Sequence, residues 1–216
     1  MLDHLRSGVT KVLGPLARLL LRIGVTPDMV TITGTLGVVV AALWLFPTGH
    51  LVAGTWTIAV IAFTDALDGI MARESGRAGP WGAFLDSTLD RIADAAIFAG
   101  LLLFFLDQDD RAGVVVALAC LALGAVVPYA RARAEGLGMT AAVGIAERAD
   151  RIALALVATL VVGYGAPRVV LVVALGVLAV AAAVTIVQRM AHVHGQVRAG
   201  AGSLPGAPTS GSEAGR

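Results

Sequence analysis

Six apolar runs, near residues 29–47, 51–72, 84–106, 113–133, 151–166 and 168–189, occupy most of this chain. A run of about 20 apolar residues is what an α-helix needs to cross a bilayer core of about 30 Å. Composition points the same way, with 57% of the residues hydrophobic and 14% charged, against about 25% charged in soluble domains. A chain of 216 residues has too small an interior to hide so much Ala, Val and Leu from water. A soluble enzyme is excluded on these grounds. The expected fold is an all-α integral membrane protein of six transmembrane helices, preceded by an N-terminal interfacial amphipathic helix.

The basic residues orient these spans. With the N-terminus in the cytoplasm, Arg6, Lys11, Arg18, Arg22, Arg73, Arg77, Arg131, Arg133, Arg148, Arg151, Arg189, Arg198 and Arg216 all fall inside. Only Arg111 and Arg168 fall in outside loops, and Arg91 lies within a span. Both termini are therefore expected in the cytoplasm, at the plasma membrane. The net charge of +1 says nothing about nucleic acid, and with no basic cluster longer than a few residues no nucleic-acid partner is expected. Cys120 is the single cysteine, which excludes an intrachain disulfide, and its apolar neighbours suit a packing role.

Residues 1–25 form the expected interfacial helix. Leu13, Leu16, Leu19, Leu20 and Ile23 recur at helical spacing, while Lys11, Arg18 and Arg22 favour anionic headgroups. Arg18 and Arg22 interrupt the only apolar core a signal peptide could use. Thr26 and Pro27 then suit the cap and first position of the next helix. Residues 26–192 form the membrane domain, and 193–216, rich in Gly, Ala, Ser and Pro, read as a disordered tail.

The anomaly is acidic. Asp65 and Asp68 end the second apolar run, and Asp86 and Asp90 begin the third. A carboxylate inside a span costs roughly 2.5–3.5 kcal/mol on insertion scales, so it points to function. Residues three or four apart share a helix face, and a short loop makes the two helices antiparallel neighbours, so the four carboxylates converge. Such a cluster needs protons or cations to relieve its repulsion. Hard oxygen ligands suit Mg²⁺ or Mn²⁺, and a pair of such ions can clamp the attacking and leaving oxygens of a phosphoryl displacement. Gly69 and Ala72 share the Asp65 face, Gly82 lies one turn before Asp86, and Arg73 offers a planar fork to a phosphate.

Written out, these residues read D65-A-L-D68-G69-I-M-A72-R73, eight residues, then G82-A-F-L-D86-S-T-L-D90. The pattern resembles the signature of the CDP-alcohol phosphatidyltransferase family at every fixed position and interval. The resemblance implies six membrane helices, a homodimer and a two-ion site of Mg²⁺ or Mn²⁺ at the cytoplasmic face. By it, Asp65, Asp68, Asp86 and Asp90 bind metal, and Asp90 is also the general base. The CDP-diacylglycerol donor is expected to lie against Asp28, Thr31, Gly69, Ala72, Arg73 and Gly82.

The acceptor is not part of that signature. Arg131, Arg133, Arg148, Arg151 and Arg189 fall on the same side as the acidic cluster. Each could be a positive-inside anchor on lipid headgroups, or part of a pocket for an anionic acceptor. The segments Y129-A-R131-A-R133, E147-R148-A-D-R151 and V187-Q-R189 are similar to actinobacterial members that use inositol phosphate. Glycerol 3-phosphate is the alternative acceptor, and a divalent-cation transporter is the alternative outside enzymes. Asp94, one turn past Asp90, suits either a role behind the site or a pair with Arg91. His192 and His194 read as interfacial, and Trp44 and Trp56 as aromatic-belt residues.

Overall fold

Thr26 caps a helix in the expected way, its hydroxyl accepting the backbone N–H of Met29 at 3.3 Å, and Pro27 takes the first helical position. A computed structural model describes residues 13–76, 79–145 and 148–201, apart from the side chains of 63–66 and 200–201. Every regular element among the described residues is helical: α1 (13–22), α2 (Pro27–Leu45), α3 (Leu51–Glu74), α4 (Pro80–Asp107), α5 (Arg111–Glu135), α6 (Arg148–Gly163) and α7 (Val169–Ala201). Of these, α2, α3, α5 and α7 are long and apolar enough to cross a membrane. Helix α4 has the length but carries Asp86, Asp90, Arg91 and Asp94, and α6 is only 16 residues long.

The helices close into a ring. Helix α2 packs on α3, α3 on α6, α6 on α7, α7 on α5, α5 on α4, and α4 back on α2. One continuous core fills it, including Phe46, Ile58, Phe98, Leu101, Phe105, Leu171 and Leu175. Small residues bring the helices close. A Cβ on Gly100 of α4 would lie 2.2 Å from the Ala42 carbonyl oxygen of α2, so only glycine fits that crossing. The outer surface is apolar, with Leu36, Val40, Val60, Val115, Val157, Val173 and Val180 exposed. That is the surface expected of a chain solvated by lipid. At one rim, Trp56 donates its indole N–H to the Tyr164 hydroxyl at 3.3 Å, with Trp44 exposed nearby in sequence to the α2–α3 turn.

Three expectations change. Helices α3 and α4 are consecutive but are not among the extensively packed pairs, because α2 packs against both of them. The apolar residues of α1 do not share one environment. Ala17, Leu13, Leu20 and Leu21 pack with Leu67, Ile70 and Met71 of α3, whereas Leu16, Leu19 and Ile23 are exposed. Protein therefore covers only one side of a broad apolar arc. Finally, α7 runs on to Ala201, so residues 193–201, expected in the tail, are helical. Gln196 helps hold that extension: its carboxamide accepts the Thr140 N–H at 3.0 Å and donates to the Thr140 carbonyl at 2.6 Å. Lys11, Arg6, Arg77, Glu147, Arg216 and the remainder of the tail lie outside the described residues.

Candidate active site

The ends of α2, α3, α4 and α6 surround a cavity of about 610 Å³. Its wall includes Pro27, Asp28 and Thr31 of α2, Asp68, Gly69, Ala72 and Arg73 of α3, Gly82, Ala83, Leu85, Asp86 and Asp90 of α4, and Arg148 of α6. The volume lies within the usual range for small-ligand pockets. Because α2 packs on both α3 and α4, it forms the back of the cavity and keeps the two acidic helices apart. Small residues leave the middle open: a Cβ on Gly82 would meet nothing within 4 Å, and one on Gly69 would meet only the Arg73 guanidinium at 3.6 Å.

Each acidic side chain has a different neighbourhood. Asp68 accepts the Thr31 hydroxyl at 2.6 Å through Oδ2, a short charge-assisted bond that ties α3 to α2. Asp28 accepts the Trp81 indole N–H at 3.0 Å, tying the start of α2 to the start of α4. Asp86 is exposed in the cavity wall. Asp90, half-buried, pairs with Arg148 through Nη2 at 2.9 Å and lies 3.6 Å from the Arg91 guanidinium. The Asp65 side chain lies outside the described residues; its backbone sits in α3 one turn before Asp68.

The arginines expected at an acceptor pocket are spread out. Arg148 lines the cavity. Arg151 is buried, and its Nη2 lies 3.4 Å from Asp94. Arg131 is exposed and pairs with Glu135 of its own helix at 2.8 Å, and Arg133 is also exposed. Arg189 donates to the carbonyls of Val143, at 3.0 Å, and Val127, joining α7 to the segment that leads into α6. Sequence reading missed Trp81 as a partner of Asp28, and it left open the role of Asp94. The structure pairs Asp94 with Arg91, Arg148 and Arg151 together. Its position was legible as the third member of an i, i+4 series after Asp86 and Asp90; its partners on α6 were not.

Carboxylates from three of the four helix ends, α2, α3 and α4, and arginines from α3 and α6 thus line one cavity. Residues 24–187 match the sequence profile of the CDP-alcohol phosphatidyltransferases. The chain belongs to this family. Among individual CDP-alcohol phosphatidyltransferases, it is 49% identical to the phosphatidylinositol phosphate synthase of Cutibacterium acnes, over 89% of this chain and 97% of that one. It is 45% identical to the phosphatidylinositol phosphate synthase of Streptomyces avermitilis, over 88% of this chain and 81% of that one. The crystal structure of Mycobacterium tuberculosis phosphatidylinositol phosphate synthase with CDP-DAG bound superposes with a TM-score of 0.81 at 39% identity, covering 94% of this chain and 99% of that one. A second structure of that enzyme, in complex with manganese and citrate, gives a TM-score of 0.79 at 40% identity and covers 92% of each chain.

Proposed function

We propose that this CDP-alcohol phosphatidyltransferase moves a phosphatidyl group from CDP-diacylglycerol to a hydroxyl of inositol phosphate, giving phosphatidylinositol phosphate and CMP. The observation that carries the reading is the single cavity in which Asp68, Asp86 and Asp90 face Arg73 and Arg148. The similarity to phosphatidylinositol phosphate synthases along nearly the whole chain supports the choice of acceptor.

The donor set fits divalent cations. Asp68, Asp86 and Asp90 offer only hard oxygen atoms to one open space, and Asp65 adds a fourth carboxylate by its place one turn before Asp68. These four residues would hold two Mg²⁺ or Mn²⁺ ions. Such ions offset the charge that builds up during phosphoryl transfer. Asp90 takes the proton from the acceptor hydroxyl as that oxygen attacks the β-phosphorus, and the bond to CMP breaks. Asp28, Thr31, Gly69, Ala72, Arg73 and Gly82 hold the cytidylyl end of the donor, with the glycines and Ala72 giving it access to the helix backbones. Arg148 holds the acceptor phosphate beside Asp90. Arg131, Arg133, Arg151 and Arg189 form the basic surroundings of that pocket.

All six helices α2–α7 span the membrane on this reading, with α1 in the interface and the cavity at the cytoplasmic face. Arg73, Arg131, Arg133, Arg148 and Arg198 lie at the helix ends nearest the cavity, against Arg111 and Arg168 at the opposite ends, which supports that orientation. The exposed Leu16, Leu19 and Ile23 support interfacial burial of α1. The working unit is a homodimer at the plasma membrane.

The test is CMP release by purified protein supplied with CDP-diacylglycerol, Mg²⁺ and either inositol phosphate or glycerol 3-phosphate. Product from inositol phosphate is expected. Product from glycerol 3-phosphate alone would overturn the acceptor, and CMP release that survives the removal of divalent cations would overturn the mechanism.

A further inference from the structure

Among the described side chains, Asp94 is the most enclosed carboxylate of the site region, 5% exposed, yet it does not line the active-site cavity. Three guanidinium groups converge on it. Arg148 donates through Nε to Oδ1 at 3.0 Å, Arg151 through Nη2 to Oδ2 at 3.4 Å, and Arg91 lies at 3.9 Å. A buried charge is tolerated only when paired in this way. The pairing also crosses the ring, because α4 and α6 are not among the extensively packed helix pairs. Side-chain ion pairs join them here.

The geometry of Arg148 is the informative part. Its Nε is bound to Asp94 and its Nη2 to Asp90 at 2.9 Å, so one edge of the planar group lies along two carboxylates one helical turn apart. Fixing that edge fixes the plane of the guanidinium. Nη1 takes part in neither pairing, and the residue belongs to the cavity wall. Asp94 therefore determines which way Arg148 presents its remaining donors. An arginine held by Asp90 alone could swing about that single contact.

We infer that Asp94 is a positioning residue that sets affinity for the phosphate of the acceptor, acting through the guanidinium of Arg148. The inference rests on the proposed role of Arg148 in the acceptor pocket. It requires the direction of the Asp94 carboxylate as well as its charge, and this separates it from simple neutralisation of the buried Arg151.

The experiment is steady-state CMP release, varying each substrate in turn, for the full-length wild type and for Asp94→Glu, Asp94→Asn and Arg148→Lys. Asp94→Glu keeps the charge but moves the carboxylate by one methylene. It is expected to raise KM for the acceptor about tenfold, the size of one misaligned ionic hydrogen bond. KM for CDP-diacylglycerol should stay at the wild-type value. Arg148→Lys keeps the charge and loses the fork at a side chain 37% exposed, and should show the same split even if an Asp94 variant fails to fold. In an Arg148→Lys background, Asp94→Glu should add no further increase. A wild-type acceptor KM in Asp94→Glu or in Arg148→Lys, an equal shift in both substrates, or effects that multiply would each overturn the inference. If the wild type turns over glycerol 3-phosphate and not inositol phosphate, the acceptor assignment fails. The same split, read with glycerol 3-phosphate, still decides the role of Asp94.

Discussion

Replacing Thr31 with valine isolates the contact between α2 and the acidic helix α3. The two side chains have nearly the same shape, so packing is retained while the hydroxyl is lost. That hydroxyl has one proton and two acceptors in reach, the Asp68 carboxylate at 2.6 Å and the Pro27 carbonyl at 3.1 Å. The shorter contact to a charged group takes it. Hydrogen bonds to charged groups contribute about 1.5–3 kcal/mol, and partial exposure of both residues puts this one at the lower end. About 1.4 kcal/mol corresponds to a tenfold change in affinity. Loss of a group that orients a ligating carboxylate usually costs roughly 10–100-fold in metal affinity or activity, so the two routes meet near tenfold. The assay is the Mn²⁺ concentration giving half-maximal CMP release, which should rise about tenfold in Thr31→Val and stay close to wild type in Thr31→Ser. Wild-type Mn²⁺ dependence in Thr31→Val would refute the argument that this bond orients Asp68 for a cation.

Asp90→Asn should lower kcat by about 10²–10⁴-fold, the usual range for a general base, with the protein still folded by size-exclusion chromatography. Chelation of divalent cations with EDTA should abolish CMP release, and added Mn²⁺ should restore it. Gly100→Ala should lower thermal stability in detergent by about 1–3 kcal/mol from overpacking, since its Cβ would lie 2.2 Å from the Ala42 carbonyl oxygen; a variant as stable as wild type would show that α2 and α4 can separate freely. Arg18→Ala removes a 3.1 Å pair with Glu74 whose side chains are well exposed, and its cost should stay below about 1 kcal/mol.

The features legible in the sequence are those set by local spacing. Apolar run lengths locate α2–α6 to within a few residues but stop well short of the end of α7. The 65–90 pattern selects most of the residues that α3 and α4 bring to the cavity, while Asp28 and Thr31 of α2 lie outside it. Thr26 and Pro27 cap α2 as their residue types require. Long-range pairing was not legible. Arg151 and Asp94 are 57 positions apart, and Arg189 and Val143 are 46 apart. An arginine near a membrane edge looks the same in sequence whether it binds a phosphate, a carboxylate or a carbonyl. Loop length was misleading about α3 and α4 because it limits the distance between helix ends and says nothing about a third helix packed against both. The Gly and Ala content of 193–201 concealed a helix whose hold on the molecule, Gln196 on Thr140, is tertiary.

The separation of α3 from α4 bears directly on the chemistry. Two helices packed face to face would bring their carboxylates together with no room for a substrate. With α2 behind them, the carboxylates look into open space from two sides. The donor is a lipid with a charged head, and the acceptor is a soluble anion, so the site must admit one from the bilayer and the other from water. Its composition is divided accordingly. The exposed aromatic rings of Trp81 and Phe84 lie at the start of α4 beside Gly82, with Trp81 bonded to Asp28. Arg148, from the start of α6, pairs with Asp90 at 2.9 Å and with Asp94 one turn further along α4. On the proposed reading the lipid head enters past the aromatic side, the anion enters past the arginine, and Asp90 stands where the two meet. A base paired with Arg148 acts on the hydroxyl of an acceptor whose phosphate that arginine holds, so on this reading one residue pair both seats the acceptor and activates it.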